Sequence, residues 1–439
     1  MGGSFLKRIS AGLALVAASV FALFVFASCD PQARLTLRFS TWSSPEEMEI
    51  MERCISAFER HYPNIRLVHE IHTSNYLDKI LTSMAAGAPP DVILLDSIHI
   101  PTFVEQNVLI DLSPYAERVE LDLDSFYPNV LEIARVDGKL YAFPKDFTPL
   151  VYFYNKRLFD LTETPYPEYD WTWDDFLRIC IRLTGDDDGD GRLDRFGTNL
   201  SRDLFRWQPW IWNAGGDILS PDGATAISYF DSPEAVTTFT FLADLVRTHQ
   251  VTPRYESLKG MSSGYDRAQK MFYSGRLGLL ASGHWWIPKL RKYMQREMMS
   301  VGIVPFPRLN KDAEPVTVMF ESGWAVPVAT KHRRWAIRLA AFMAGEESQR
   351  IRADSGLAIP AMRRIAEEAA RRDPTGLSQD FIRLVPYCRQ PWGSIIPKFT
   401  TVEDIIPEIF DRVLLNGEDV ESAASDLARR IDRVLPDGS

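Results

Sequence analysis

The 439-residue sequence has no Gly-x-Gly-x-x-Gly fingerprint, no Walker lysine loop and no His-Glu-x-x-His pair. Dinucleotide cradling, P-loop phosphate binding and zincin-type hydrolysis therefore lack the strings they need. Histidine is scarce, at seven, and in His69-Glu-Ile-His72 the two imidazoles would project from opposite faces of a strand. Cysteine is scarcer, at four. With Cys29 in the N-terminal segment, Cys54, Cys180 and Cys388 allow at most one disulfide. Cys54 and Cys180 fall inside amphipathic helices, so buried free thiols are the expectation. Basic residues are outnumbered, 49 Lys and Arg against 59 Asp and Glu, for a formal charge of −10. That balance argues against nucleic acid or anionic lipid as a ligand. Repeats and low-complexity tracts are absent.

What the chain does have is aromatic weight, 12% of residues with 11 Trp, and a distinctive start. Lys7 and Arg8 precede an uncharged run from Ala11 to Phe26, after which polar chain begins at once. A basic start, a short apolar core and small residues before a cut site make a secretory signal. The run is shorter than the ~20 residues of a spanning helix. Phe26-Ala-Ser-Cys29 resembles the bacterial lipobox, whose cysteine receives lipid, with Phe26 in place of the usual Leu. The expectation is a lipoprotein signal over 1–28 and a lipidated N-terminus and linker over 29–33. An uncleaved N-terminal anchor is the alternative. Both place the body of the chain outside the cytoplasmic membrane, in the periplasm or on the outer face. Cleavage would remove Lys7 and Arg8 and leave the rest two charges more negative.

The remainder is long for one core, and two lobes are expected. Leu35 to Ser40 alternates as a first strand. Ser44, Pro45 and Glu47 form a capping box ahead of a helix striped by Met48, Met51, Ile55 and Phe58. Ile65 to Ile71 is a second strand, Tyr76 to Met84 a helix ending at Gly87, and Asp91 to Asp96 a buried parallel strand. This βαβαβ order predicts an α/β, doubly wound sheet. Further on, Asp137-Gly138 marks a hairpin. Thr172 with Asp175 and Ser232-Pro233 start helices. Leu277 to Ala281 is a strand, Gly323 to Val328 is extended, Val402 to Leu414 is one late helix and Val420 to Val434 the last.

Motifs spread along this order resemble the family 1 solute-binding proteins of bacterial ABC importers, the maltose-binding-protein-like group. They include Phe39-Ser-Thr-Trp42, Phe58-Glu-Arg-His-Tyr-Pro-Asn-Ile65, Met84-Ala-Ala-Gly-Ala-Pro-Pro-Asp-Val92 and Gly138-Lys-Leu-Tyr-Ala-Phe-Pro-Lys-Asp146. Tyr154-Asn-Lys-Arg-Leu-Phe159, Asn213-Ala-Gly-Gly216, Gly283-His-Trp285 and Gly356-Leu-Ala-Ile-Pro360 continue the series. The resemblance implies a periplasmic-binding-protein-like type II fold, two hinged α/β lobes closing on one ligand. Family proportions suggest an N-terminal lobe of 34–146 plus 276–327 and a C-terminal lobe of 147–275 plus 328–439. They also imply a monomer that needs no cofactor and delivers its ligand to ABC permease subunits served by a separate ATPase.

Sugars present hydroxyl rims and C–H faces, so a site for one needs aromatic platforms and polar forks. Ligands of open α/β sheets lie beyond the strands' carboxyl ends. Trp42, Ser44, Tyr76, Asp96, Asp146 and Trp285 sit at such positions. Trp207 or Trp210, Glu321, Trp324 and Trp392 are the remaining ligand-binding candidates, while Trp286, Trp171 and Trp173 read as packing. The acidic turn Asp186, Asp188, Asp190, Arg192 and Asp194 has the first spacings of a Ca²⁺ loop. Gly197 stands where the bidentate Glu belongs, so a partial Ca²⁺ loop and a solvated acidic turn both remain open. The expected function is capture of a carbohydrate, an oligosaccharide. The alternatives are a polyamine or glycerophosphodiester on the same scaffold, or a secreted glycoside hydrolase using Asp146 and Glu321.

Overall fold

The computed structural model describes residues 34–42, 45–253, 264–295, 299–356, 358–397 and 399–435. The signal segment, Cys29 and Ser44 lie outside the described residues. Strands β1 (Leu35–Thr41), β2 (Ile65–Ile71) and β3 (Val92–Asp96) pair in parallel, with β1 between the other two. The Pro45–His61 and Tyr76–Ala85 helices make the crossovers, as the sequence pattern predicts. Leu37, Phe39 and Val92 to Leu95 are fully buried, because helices cover both faces of such a sheet.

The short hairpin β4 (Arg135–Val136) and β5 (Lys139–Leu140) turns at Asp137 and Gly138, both at positive φ. Next come β6 (Ala142–Pro149), β7 (Val151–Asn155), β8 (Leu279–Ser282), β9 (Val301–Val304), β10 (Thr317–Ala325), β11 (Ile359–Pro360) and β12 (Cys388–Arg389). The large sheet runs β11-β6-β10-β3-β1-β2, with β12 on the early part of β10. A second sheet, β8-β7-β9, is antiparallel throughout. Two hydrophobic cores follow. One joins the large sheet to one face of the small sheet (Val151, Phe153, Leu280, Val301); the other packs the opposite face (Tyr152, Leu279, Ala281, Val304) against the Leu204–Asn213, Pro233–Arg247 and C-terminal helices.

Only Leu150 separates β6 from β7, so the chain passes between the sheets there. Its N–H donates to Val318 O (3.0 Å) and its carbonyl accepts from Thr317 Oγ1 (2.6 Å). The return passage, β10, is thus laced to the outward one, and β12 adds a third strand beside Thr317 and Val318. β8 and β9 pair with β7, while Ile287 and Leu290 of the helix between them lie in the large-sheet core. The Arg333–Ala344 helix buries Ala336, Ile337, Leu339, Ala340 and Met343 in the large-sheet core.

Elsewhere the local signals hold. Thr172 and Asp175 form a reciprocal capping box and Ser232 caps its helix. The late helix is two, Phe399–Ile405 and Glu408–Asn416, because Pro407 stands between them and lacks the amide a continuous helix requires. Among the described residues no helix is long and apolar enough to cross a membrane. Cys54, Cys180 and Cys388 are free thiols, the first two buried.

Candidate functional site

The site grows from the carboxyl ends of β1 and β3. Asp96 closes β3, and its carboxylate accepts the Ile98 N–H (3.4 Å), capping the turn Ser97–His99. Half-buried Trp42 follows β1 and stands edge-on to Tyr76, ring centroids 5.1 Å apart. The Tyr76 hydroxyl is shared between the carbonyls of Ser40 (3.0 Å) and Leu94 (2.7 Å), which fixes the pair to adjacent strands. Burial raises the phenol's affinity for its proton, so it is a donor at ordinary pH.

Strand β10 runs antiparallel between β3 and β6, and Ser322 lies opposite both Asp96 and Asp146. Its hydroxyl donates to Asp146 Oδ1 at 2.7 Å. A bulge at this point leaves Lys145 as an extra residue on β6. Its buried ammonium lies 2.5 Å from Asp146 Oδ2 and 3.8 Å from Glu47 Oε1. Gln349 braces the bulge from behind, donating to Lys145 O (2.9 Å) and Pro144 O (3.3 Å) while accepting from Ala361 N.

Next to Ser322, Glu321 is 1% exposed and neither carboxylate oxygen has a hydrogen-bond partner. Burial first, then Asp96 and Asp146, push its carboxyl well above the usual range against the pull of Lys145. Burial and Asp146 likewise raise Asp96 to about 6. Burial, then Asp96, raise Glu403 of the Phe399–Ile405 helix to about 7.

A second aromatic group continues from β10. Phe320 meets Trp285 (6.3 Å) and Phe205 (5.1 Å), and Trp285 is 38% exposed. Phe320 lies opposite Thr148, whose Oγ1 accepts the His284 N–H beside Trp285. The Arg206 guanidinium sits 4.5 Å over Phe205 and donates to Ala281 O (3.4 Å), joining that helix to the strand before Trp285. Rings, then carboxylates, then rings thus follow one another across the junction of the two sheets.

The family model for bacterial extracellular solute-binding proteins matches residues 42–350. The chain belongs to that family. The galactooligosaccharide-binding protein of Bacillus subtilis is 23% identical over 357 residues, 78% of this chain and 79% of that one. An ABC substrate-binding protein of Listeria monocytogenes, solved with cycloalternan, has a TM-score of 0.79 at 23% identity and covers 91% of this chain and 98% of its own. UgpB of Mycobacterium tuberculosis, solved with glycerophosphocholine, has a TM-score of 0.73 at 17% identity and covers 91% and 98%. The fold shared with such proteins is the two-lobed type II arrangement that the sequence predicts.

Within this solute-binding protein the structure separates the candidates. Asp96, Asp146 and Glu321 come together electrostatically, Trp42 joins Tyr76, and Trp285 lies on the half-exposed aromatic group. Four tryptophans belong instead to the interior. Trp207 packs between Phe239 and Phe410, and Trp210 among Tyr152, Trp173 and Phe176. Trp324 is sealed against Phe39, and buried Trp392 donates its Nε1–H to Asp217 (2.7 Å). A large ring on a helix or an inward strand position gains more from burial than from solvent, which the sequence reading of these four underweighted.

Sequence reading missed Phe205, Phe320, Ser322, Lys145 and Glu403. A chemical signal existed only for Phe320, adjacent to Glu321 at the start of an extended run. It also missed Gly260-Met-Ser-Ser-Gly264, which has Gly-x-Ser-x-Gly spacing. Residues 260–263 lie outside the described residues, and Val251–Pro253 before them is not the strand a nucleophile elbow requires.

In the acidic turn, carboxylate oxygens of Asp186, Asp188 and Asp194 lie within 4.8 Å of one another. Asp186 accepts from Gly189 N and Gly191 N, and Asp194 from Asp187 N. Asp190 is not in that group; its carboxylate accepts from Arg192 N. The turn's own backbone thus supplies these acids with donors, and Gly197 gives it no twelfth-position carboxylate.

Proposed function

We propose that this solute-binding protein is the lipid-anchored receptor of an ABC importer and captures an oligosaccharide at the junction of its two sheets. The observation that carries the reading is the pairing of aromatic faces (Trp42 with Tyr76, and Trp285 with Phe320 and Phe205) flanking the Asp96, Asp146 and Ser322 set. Rings cover sugar C–H faces, while carboxylates accept the bidentate hydroxyls at the rim. Binding proteins of galactooligosaccharide and cycloalternan share this fold, which supports the substrate class. Contacts from both sheets would favour the closed form, with motion taken up at the β6–β10 crossing.

The closed, monomeric receptor docks on the permease subunits, a separate ATPase supplies energy, and Cys29 carries the lipid. No chemical step is assigned: Lys145 and Ser322 hold Asp146 as an acceptor for ligand hydroxyls, and Glu321 is sealed from bulk solvent. The acidic turn is a structural element to which Ca²⁺ is optional.

Thermal-shift screening of the purified protein against oligosaccharides, polyamines and glycerophosphodiesters tests the reading, since a ligand of the folded state raises Tm by linkage. Shifts confined to non-sugars overturn the substrate class, and sugar turnover lost in Asp146→Asn overturns the receptor role. Retention of Cys29→Ser in the membrane fraction would remove the lipid anchor.

A further inference from the structure

The turn that carries Trp285 is anchored by a buried polar chain. Its outer members face inward, His284 at 2% and Trp286 at 1% exposure, while Trp285 stands out. The His284 N–H donates to Thr148 Oγ1 (2.8 Å), and the ring Nε2 lies 3.0 Å from Ser378 Oγ. Ser378 is in the first turn of the Leu377–Leu384 helix, and its hydroxyl and N–H both donate to Asp373 Oδ2, at 2.6 and 3.0 Å. Asp373 Oδ1 accepts from the Thr375 N–H (3.0 Å), the Thr375 hydroxyl (2.8 Å) and the Arg291 guanidinium (3.0 Å). An ionised carboxylate only accepts, so the Ser378 proton points at Asp373 and the His284 ring is the donor at Nε2.

Arg291 belongs to the Ile287–Met294 helix, which follows the Trp285 turn directly. One carboxylate therefore grips this segment on both sides of Trp285, through Ser378 and His284 before it and through Arg291 after it. The ring is also packed close to its own backbone: a Cβ on Gly283 would lie 2.2 Å from Trp285 Cζ3. We propose that Asp373 is a positioning residue for this platform, presetting the pose of Trp285 before a sugar arrives; this rests on the reading of Trp285 as a sugar contact. A side chain already held in its bound pose loses less freedom on binding. Hydrogen bonds suit that task because they fix direction as well as distance.

Asp373→Asn keeps the side chain's shape but turns an amide N–H₂ toward donors, either those of Ser378 and Thr375 or that of Arg291. Fluorine NMR of fluorotryptophan-labelled protein reads the ring without any ligand, the Trp285 resonance being the one absent from Trp285→Phe. In Asp373→Asn that resonance should shift or split, while the tryptophans packed around Trp207 and Trp210 keep theirs. Affinity for an oligosaccharide found by thermal shift should fall about tenfold, but less than about twofold when Trp285→Ala is already present. Ser378→Ala cuts only the His284 branch, should move the same resonance, and decides alone if Asp373→Asn does not fold. A Trp285 resonance unmoved in both variants overturns the proposal. So does an equal loss of affinity with and without Trp285, the mark of a general structural role. A moved resonance with no sugar bound from any panel leaves the hold of Asp373 on the ring standing and sinks only the substrate class.

Discussion

Trp285 and Trp286 are neighbours in sequence and opposites in place. Trp285 lies partly open beside Phe320, whereas Trp286 is packed between Phe153 and Phe272 with its indole N–H on the Tyr273 hydroxyl. The same contrast separates the whole aromatic group at the junction from the tryptophan-rich interior around Trp207 and Trp210. Aromatic composition alone cannot tell these populations apart. Position can: the half-exposed rings border the crossing strands, and the sealed ones sit on a covered helix, a buried turn or an inward strand position.

The contrast breaks most visibly in the interior. Trp210→Ala should cost about 3–5 kcal/mol of unfolding free energy, because a fully buried indole leaves a cavity its neighbours cannot fill. Denaturant titration measures it, and a loss below about 1 kcal/mol would place Trp210 outside the core. At the junction the balance reverses. Trp285→Ala should weaken binding of an oligosaccharide about thirtyfold, equivalent to about 2 kcal/mol. The same change should alter unliganded stability by no more than about 0.5 kcal/mol. Isothermal titration calorimetry and a melt on one sample separate the two. A smaller effect, about 1 kcal/mol, is expected for Thr172→Ala, which removes one half of a reciprocal capping box at the start of the Trp173–Leu183 helix.

The acids sharpen the comparison by sign. Asp96 and Glu403 have raised affinities for protons, so their stabilising neutral forms are lost as pH rises through about 6 and about 7. Asp373 is opposite. Although burial opposes ionisation, hydrogen bonds from Ser378 and Thr375 hold it at about 2, so its contribution disappears only as pH falls below about 4. A Tm profile should therefore decline at both ends, with Glu403→Gln flattening only the upper limb.

Much of residues 35–96 was legible because each element carries its own signal. Alternation, a 3.6-residue stripe and a helix stop are local, and β1 to β3 appear where those cues put them. The Thr172 box and the Asp137-Gly138 turn were legible for the same reason. The insertion of β10 antiparallel between β3 and β6 was not, since no local pattern states that residues near 320 pair with residues near 95 and 145. The site inherits that gap. Asp96 and Asp146 could be chosen as strand-end acids, but Ser322, Phe320 and Glu403 enter only once distant segments are superposed. The pairing of β7 with β8 and β9 was out of reach for the same reason, since the partners lie more than a hundred residues away.

One residue, Leu150, joins two strands that serve different sheets, with both its peptide groups tied to the neighbouring strand. Val151 and Phe153 just beyond it share a core with Phe147 just before it, so the crossing is held by packing as well as by hydrogen bonds. A change of length there would disturb both sheets at once, whereas a change of side chain elsewhere on either strand would disturb one.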